Sequence, residues 1–455
     1  MHPSTSTSTH RFKHIALSAM LGSSLFAAAS SAWSMDLLQA YDAARQQDAT
    51  VLAARAAAAA GRERLPQARS QLFPSISASA QQTDNRLKST TPNFQGIEQT
   101  QNTQYPSSNQ TITLRQPLYR PYVSAQVRQA KAQIDDSEAS LAQEEQSLAV
   151  RVAGAYFEAM LSLDQLALVV AQRTTTSTQL DATRKTFAAG SGTRTDIDET
   201  QARLDQIMAT EIEARQNVDF TRRQLEVLVN QPVRELSTLN IAKLTPSEPQ
   251  PNTLEAWTEK AEQTSPQLLS LRAQLEAARE EVRKINTGHL PTLDVVAQWQ
   301  RSQSENTTNS TNRYTNTSLG LQLNIPIFQG GYVNSQVRQA LAAQERASQL
   351  LEAGRRDLGV RVFREFRSVL ENVPKIKALE RALASAEQLV VSNRKSFQAG
   401  SRTVVDILNA EQQRTLVLRD LAQARYVYLA SNLRLLALAG QADQQAVTNI
   451  NTVLK

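Results

Sequence analysis

The chain has 455 residues, a formal charge of +6, 5% aromatic residues and no cysteine. The length allows two or three ordinary domains, and the missing cysteine excludes a disulfide framework, an acylated N-terminal cysteine and thiolate metal sites. The mild charge forms no basic stripe, so no nucleic-acid partner is expected.

The N-terminus has the layout of a secretory signal. His10, Arg11, Lys13 and His14 make a basic region, Ile15–Ala29 an apolar run, and Ser30, Ser31 and Ala32 a small-residue exit. Residues 1–34 are therefore read as a signal peptide, too short to span a membrane comfortably. Arg11 and Lys13 leave with it, which brings the balance to about +4. No later apolar run is expected to be long enough for a transmembrane helix.

A first repeat is assigned to 35–243. It opens with a helical segment and continues into two strands with period-two alternation, about 72–82 and 108–119. Ile76, Ala78 and Ala80 alternate with small polar residues, and Ile112, Leu114 and Leu118 lie opposite Thr111, Thr113 and Arg115. The segment between them, about 82–106, is rich in Asn, Thr, Gln and Ser and reads as a solvated hairpin tip. A helical hairpin follows over 121–231. Its first arm, from Tyr122 to Ala189, contains no proline and only Gly154, so about 65 residues of helix span roughly 98 Å. Val127, Ile134, Leu141 and Leu148 recur at a coiled-coil spacing.

A proline-rich linker (244–252) leads to a second repeat, 253–441, with the same order. Its strands fall at about 290–300 and 318–328. Leu293, Val295, Ala297 and Trp299 share one face, as do Leu319, Leu321, Leu323, Ile325 and Ile327. The polar tip here is 301–317. The hairpin occupies 331–439, the coiled-coil phase returns at Val337, Leu351 and Leu358, and Gln344 and Glu365 interrupt it. Pro374 is expected to bend or break the long helix, where the first repeat has Asp164. Residues 442–455 form a tail. The register is explicit at the hairpin ends: 184–197 and 394–407 agree at nine of fourteen positions. A unit of about 200 residues is a duplicated half-protein, because solenoid repeats run about 20–50 residues.

Four amphipathic strands fit a lipid-facing barrel wall. Barrels begin at about eight strands, so four cannot close and the chain must oligomerise. A soluble antiparallel sheet over the helices has the same alternation.

Phe397–Gln413 ("FQAGSRTVVDILNAEQQ") and Leu421–Gln441 closely resemble the TolC-like family of outer-membrane efflux and secretion channels, the outer membrane factors. The strand–strand–helix duplication extends that resemblance over nearly the whole mature chain. It implies a mixed fold: a homotrimeric twelve-stranded outer-membrane β-barrel, four strands per chain, continued by a long α-helical barrel in the periplasm. It also implies a mixed belt from segments around 236–260 and the C-terminus. The implied function is passive export through a duct recruited by a periplasmic adaptor and an inner-membrane pump of ABC, RND or MFS type. The alternative is a trimeric coiled-coil structural or adhesive envelope protein, and a periplasmic adaptor is a third.

The resemblance also implies a gate at the periplasmic end. Asp406 matches a constriction aspartate, while the second such position is Asn409. Arg402 matches a tether between closed helices, with Thr195 and Asp196 as its partners in the other repeat. Phe397 stands where the family uses a tyrosine hydroxyl, so that link is missing. Glu199, the counterpart of Asn409, adds negative charge at the mouth. Gly190, Ser191, Gly192, Gly400 and Ser401 are the hairpin tips expected to meet the adaptor. Asp or Thr after such a turn is also a favoured helix cap. The four histidines are His2, His10, His14 and His289, of which three leave with the signal. No enzyme site, metal or cofactor is expected. Gly190–Gly192 has no preceding strand, which speaks against a phosphate loop.

Overall fold

The computed structural model describes residues 34–305 and 311–454. The signal-peptide reading and the centre of the second polar tip lie outside the described residues.

Each repeat begins with short helices: α1 (Leu37–Gln47), α2 (Ala49–Arg62) and α3 (Arg64–Ser70) in the first, α6 (Leu254–Thr264) and α7 (Pro266–Asn286) in the second. Two strands and two long helices follow in each. They are β1 (Ser75–Pro92), β2 (Glu98–Tyr119), α4 (Pro121–Ala188) and α5 (Arg194–Val229), then β3 (Thr292–Glu305), β4 (Thr311–Asn324), α8 (Tyr332–Gln398) and α9 (Val404–Leu438). A terminal helix, α10 (Gln444–Asn451), closes the chain. At 68 and 67 residues, α4 and α8 are each about 100 Å long.

The strands are longer than their alternation suggests. β1 and β2 stay paired from Ser75↔Arg115 out to Pro92↔Glu98, so most of the first polar segment is hairpin ladder rather than loop. Backbone pairing needs no apolar side chains, and Asn, Thr and Gln satisfy themselves across it, as in Asn85 to Ser107 (2.9 Å) and Thr90 to Thr100 (2.9 Å). Leu72 and Ile325–Phe328 fall outside the strands. The sheet order is β1-β2-β3-β4, all antiparallel, with a register shift between Pro117 and Tyr119. Leu118 therefore departs from strict alternation.

Of the two expected effects of Pro374, a break does not occur: α8 runs through it from Tyr332 to Gln398. The missing N–H costs one helical hydrogen bond, while Val373 and Ile376 are buried beside it and hold the segment in the core. The first repeat differs at this level: Asp164 accepts a 2.7 Å hydrogen bond from the Tyr426 hydroxyl. The coiled-coil reading also needs adjustment. Leu148 and Leu358 are buried, but Val127, Ile134, Leu141, Val337 and Leu351 are half-buried, while the alanines Ala125, Ala130, Ala132 and Ala139 are buried. One stretch of α4 is apolar and long enough to cross a membrane by composition, which amends the expectation of none; 39% of it is buried inside the chain.

The core sits where the long helices meet the short ones. Leu37, Leu148, Tyr156, Leu225, Leu268, Leu358 and Leu433 are almost fully buried there. Segments remote in sequence are stitched into it. Met35 bridges Leu236, and Leu239 bridges Leu454. The Tyr156 hydroxyl lies 3.0 Å from the Met35 carbonyl and 3.1 Å from that of Ser237. Burial raises the Tyr156 pKa, so the group remains a donor.

Candidate functional site: the sheet and the two hairpin ends

The register assigns each strand face a chemistry. Leu114 lies opposite Ile76 and Ala297, Val295 opposite Leu321, and Leu293 opposite Leu323. Ile76, Leu319, Leu321 and Leu323 are 59–78% exposed. The alternate positions are mostly polar, Val296 and Gly320 apart: Ser77 lies opposite Thr113, Gln298 opposite Ser318, and Arg115 donates to Gln322 at 2.8 Å. The apolar band from Leu293 to Trp299 covers about 20 Å along the strand. β1 and β4 each pair on one side only. A sheet with one bare apolar face and two open edges is incomplete in this chain alone. Its junction with the helices is pinned by Asp294, which is 6% exposed. Arg120, just before α4, grips it with two hydrogen bonds of 3.0 and 2.8 Å.

At the far end the two hairpins turn alike. Gly190 and Gly400 have φ of +78° and +75°, a conformation that favours glycine. The Gly190 N–H donates to the Phe187 carbonyl and the Ser191 N–H to that of Thr186. Gly400 and Ser401 do the same to Phe397 and Ser396. This is the Schellman arrangement, which satisfies the last carbonyls of a helix. Gly192 packs tightly, because an added Cβ would meet the Phe187 backbone nitrogen at 3.0 Å. Arg402 occupies the matching position in the second repeat.

The next helices open on capping boxes. The Asp196 N–H donates to the Thr193 hydroxyl (3.1 Å), and the Thr193 N–H returns a bond to the Asp196 carboxylate (3.2 Å). Thr403 and Asp406 repeat the exchange at 3.4 and 2.9 Å. The Thr403 N–H and hydroxyl and the Arg402 guanidinium hold the Asp406 carboxyl below the usual carboxylate range. Both aspartates thus have the capping role that their spacing from threonine allows.

Arg402 pairs with Asp406 of its own helix start at 3.2 Å. Among the described residues it makes no hydrogen bond or ion pair with Thr195 or Asp196, so those three residues are not brought together. Thr195, Glu199 and Asn409 are exposed, and Phe397 is half-buried.

The sequence reading missed the links within each hairpin. Arg184 donates to Gln201 at 3.0 Å, and Arg394 to Glu411 at 2.5 Å. These pairs sit at equivalent positions, 210 residues apart, so the repeat alignment carries their signal. The carboxylate of Glu211, 4% exposed, is held by Arg173 (3.0 Å) and Arg215 (2.6 Å).

The family model "Outer membrane efflux protein" matches residues 40–231 and 257–441, one match on each repeat. The chain is 31% identical to the proteases secretion protein PrtF of Dickeya chrysanthemi, over 91% of this chain and 90% of that protein. It is 33% identical to the alkaline protease secretion protein AprF of Pseudomonas aeruginosa (93% and 88%) and 28% identical to the outer membrane protein TolC of Escherichia coli (96% and 88%). Among solved structures, the outer membrane protein VceC of Vibrio cholerae superposes with a TM-score of 0.74 at 18% identity, covering 90% of this chain and 97% of that one. The CmeC outer membrane channel of Campylobacter jejuni superposes with a TM-score of 0.76 at 14% identity, covering 92% and 90%. The four-stranded sheet, the paired long hairpins and both family matches agree: this chain belongs to the outer membrane efflux protein family.

Proposed function

We propose that three copies of this chain close a twelve-stranded barrel in the outer membrane and continue it as a helical tunnel through the periplasm. The carrying observation is the sheet. Its bare apolar face suits lipid, its polar face suits water, and its open edges suit pairing with further copies. The duct is passive, with no catalytic role for its residues. A periplasmic adaptor docks at the Gly190–Gly192 and Gly400–Ser401 tips, and an inner-membrane pump of ABC, RND or MFS type supplies the energy. The two relatives above 30% identity are named for protease secretion, which favours an ABC-driven type I secretion system over drug efflux.

At the tunnel mouth the Asp406 carboxylates converge by threefold symmetry, repel one another and favour cations. Glu199 adds charge that Asn409 does not supply. Arg402 is the latch. Its charge-assisted bond must break or be exchanged for the hairpins to splay, with Thr195 and Asp196 of the other hairpin as the alternative partners and Phe397 contributing packing only.

Two measurements test this reading. Detergent extraction should give a heat-modifiable trimer that opens small, cation-selective conductances in a planar bilayer, and Asp406→Ala should weaken the selectivity. A soluble monomer, or an outer-membrane trimer without conductance, would leave a structural or adhesive role instead. Selectivity unchanged in Asp406→Ala removes that residue from the gate. Crosslinking and identification of the bound pump decides between secretion and efflux.

A further inference from the structure

We infer that the junction between the two hairpins of one chain is a binding site for a small inorganic anion of chloride's size. Three guanidiniums converge there, Arg203 from α5, Arg394 from α8 and Arg414 from α9, around a cavity of about 40 Å³ also lined by Gln172 and Thr176 of α4. One carboxylate, Glu411, faces them. Arg394 binds it at 2.5 Å and Arg414 at 3.4 Å. Arg203 has no hydrogen bond or ion pair with any described residue, and its Nη2 is buried. Arg414 Nε is likewise buried without an acceptor.

The lining therefore carries two more positive charges than negative ones, with two unanswered donors. Arg394 and Arg414 keep part of their side chains in solvent, but like charges gathered on one carboxylate still repel, and the two buried donors need acceptors. Water supplies an acceptor without charge, whereas an anion supplies both. The volume is a few times the roughly 10–15 Å³ that one water requires, which suits a halide. Arg203 belongs to the first hairpin, and Arg394 and Arg414 to the second. The bound anion thus joins the hairpins by charge-assisted hydrogen bonds. The site needs only this intrachain junction and is independent of what the duct carries.

The test uses the full-length protein as it assembles in detergent. Crystals grown in bromide should show an anomalous peak within hydrogen-bond distance of Arg203 Nη2 and Arg414 Nε. In solution, protein-induced ³⁵Cl line broadening should report binding that Arg203→Gln weakens by about tenfold or more, the scale of a lost charge-assisted bond. Arg223→Gln, at an exposed arginine of the same helix, should leave it unchanged. Arg414→Gln leaves Glu411 its Arg394 partner and should lose binding as Arg203→Gln does, which keeps the test open if one variant fails to assemble. Three results overturn the inference: an ordered water with no bromide, a carboxylate of a neighbouring copy seated on Arg203, or a bromide peak with broadening indifferent to both variants, which marks an adventitious ion only.

Discussion

Leu321→Arg separates a lipid-facing sheet from a soluble one. Leu321 lies on β4, paired with Val295 on the apolar face, and is 70% exposed. On the surface of a soluble sheet an arginine there is nearly neutral, within about 0.5 kcal/mol. Facing lipid near the bilayer midplane it costs about 2–4 kcal/mol per copy. Three copies in one barrel bring the penalty to about 6–12 kcal/mol per assembly, enough to depopulate the trimer. The control is Ser318→Arg, three residues earlier, which pairs with Gln298 on the polar face. The assay is a guanidinium titration of the detergent-extracted trimer, read by its heat-modifiable band, with the outer-membrane fraction measured in parallel. Leu321→Arg should lower both sharply, and Ser318→Arg should leave both close to wild type. Equal tolerance of the two substitutions, or a larger loss from Ser318→Arg, would refute the assignment of faces.

Tyr156→Phe removes the buried hydroxyl that faces the Met35 and Ser237 carbonyls; a loss of about 1–3 kcal/mol is expected in chemical denaturation. Gly400→Ala forces a left-handed conformation on alanine at φ +75° and should cost about 1–2 kcal/mol at the hairpin end, seen as faster amide exchange there. Gly154→Ala acts in the opposite sense. Its Cβ enters open space inside a helix, so a gain of about 0.5–1 kcal/mol in thermal or chemical stability is expected. The depressed Asp406 pKa sets a pH window. Its contribution is present above the unfolded value of about 4 and is lost as pH falls through the lower folded value. Reversal potentials should therefore keep their cation preference at pH about 4, where an ordinary carboxylate is half protonated, and Asp406→Asn should abolish that persistence.

The strand faces and the hairpin ends were legible because each is a local pattern, and the duplication because the two halves align directly with each other. Period-two alternation states which residues share a face, and Gly-Ser followed by Thr-x-x-Asp states a turn and a cap. The extent of β1 and β2 was not legible. Their outer halves pair through the backbone, and a polar run such as Thr83–Pro92 carries no apolar period to reveal it. At Pro374 a local rule allows a break, and burial of Val373 and Ile376 keeps the helix continuous instead. At the gate, the resemblance pointed to Arg402 and Asp406. That they face each other within one helix start depends on the geometry of that turn.

The amino-acid order was enough to establish that this is a doubled chain with four two-faced strands and two very long hairpins, because periodicity and turn chemistry act over a few residues at a time and the duplication shows in direct alignment of the two halves. It could not say that the Met35 and Ser237 carbonyls meet at the Tyr156 hydroxyl, that Val127, Ile134 and Leu141 of the heptad seam are only half-buried, or that Arg203 comes to rest between two hairpins with no hydrogen bond or ion pair to any described residue. Those outcomes depend on contacts between segments up to several hundred residues apart. Such contacts are set by how whole helices pack, and no short window of sequence contains them.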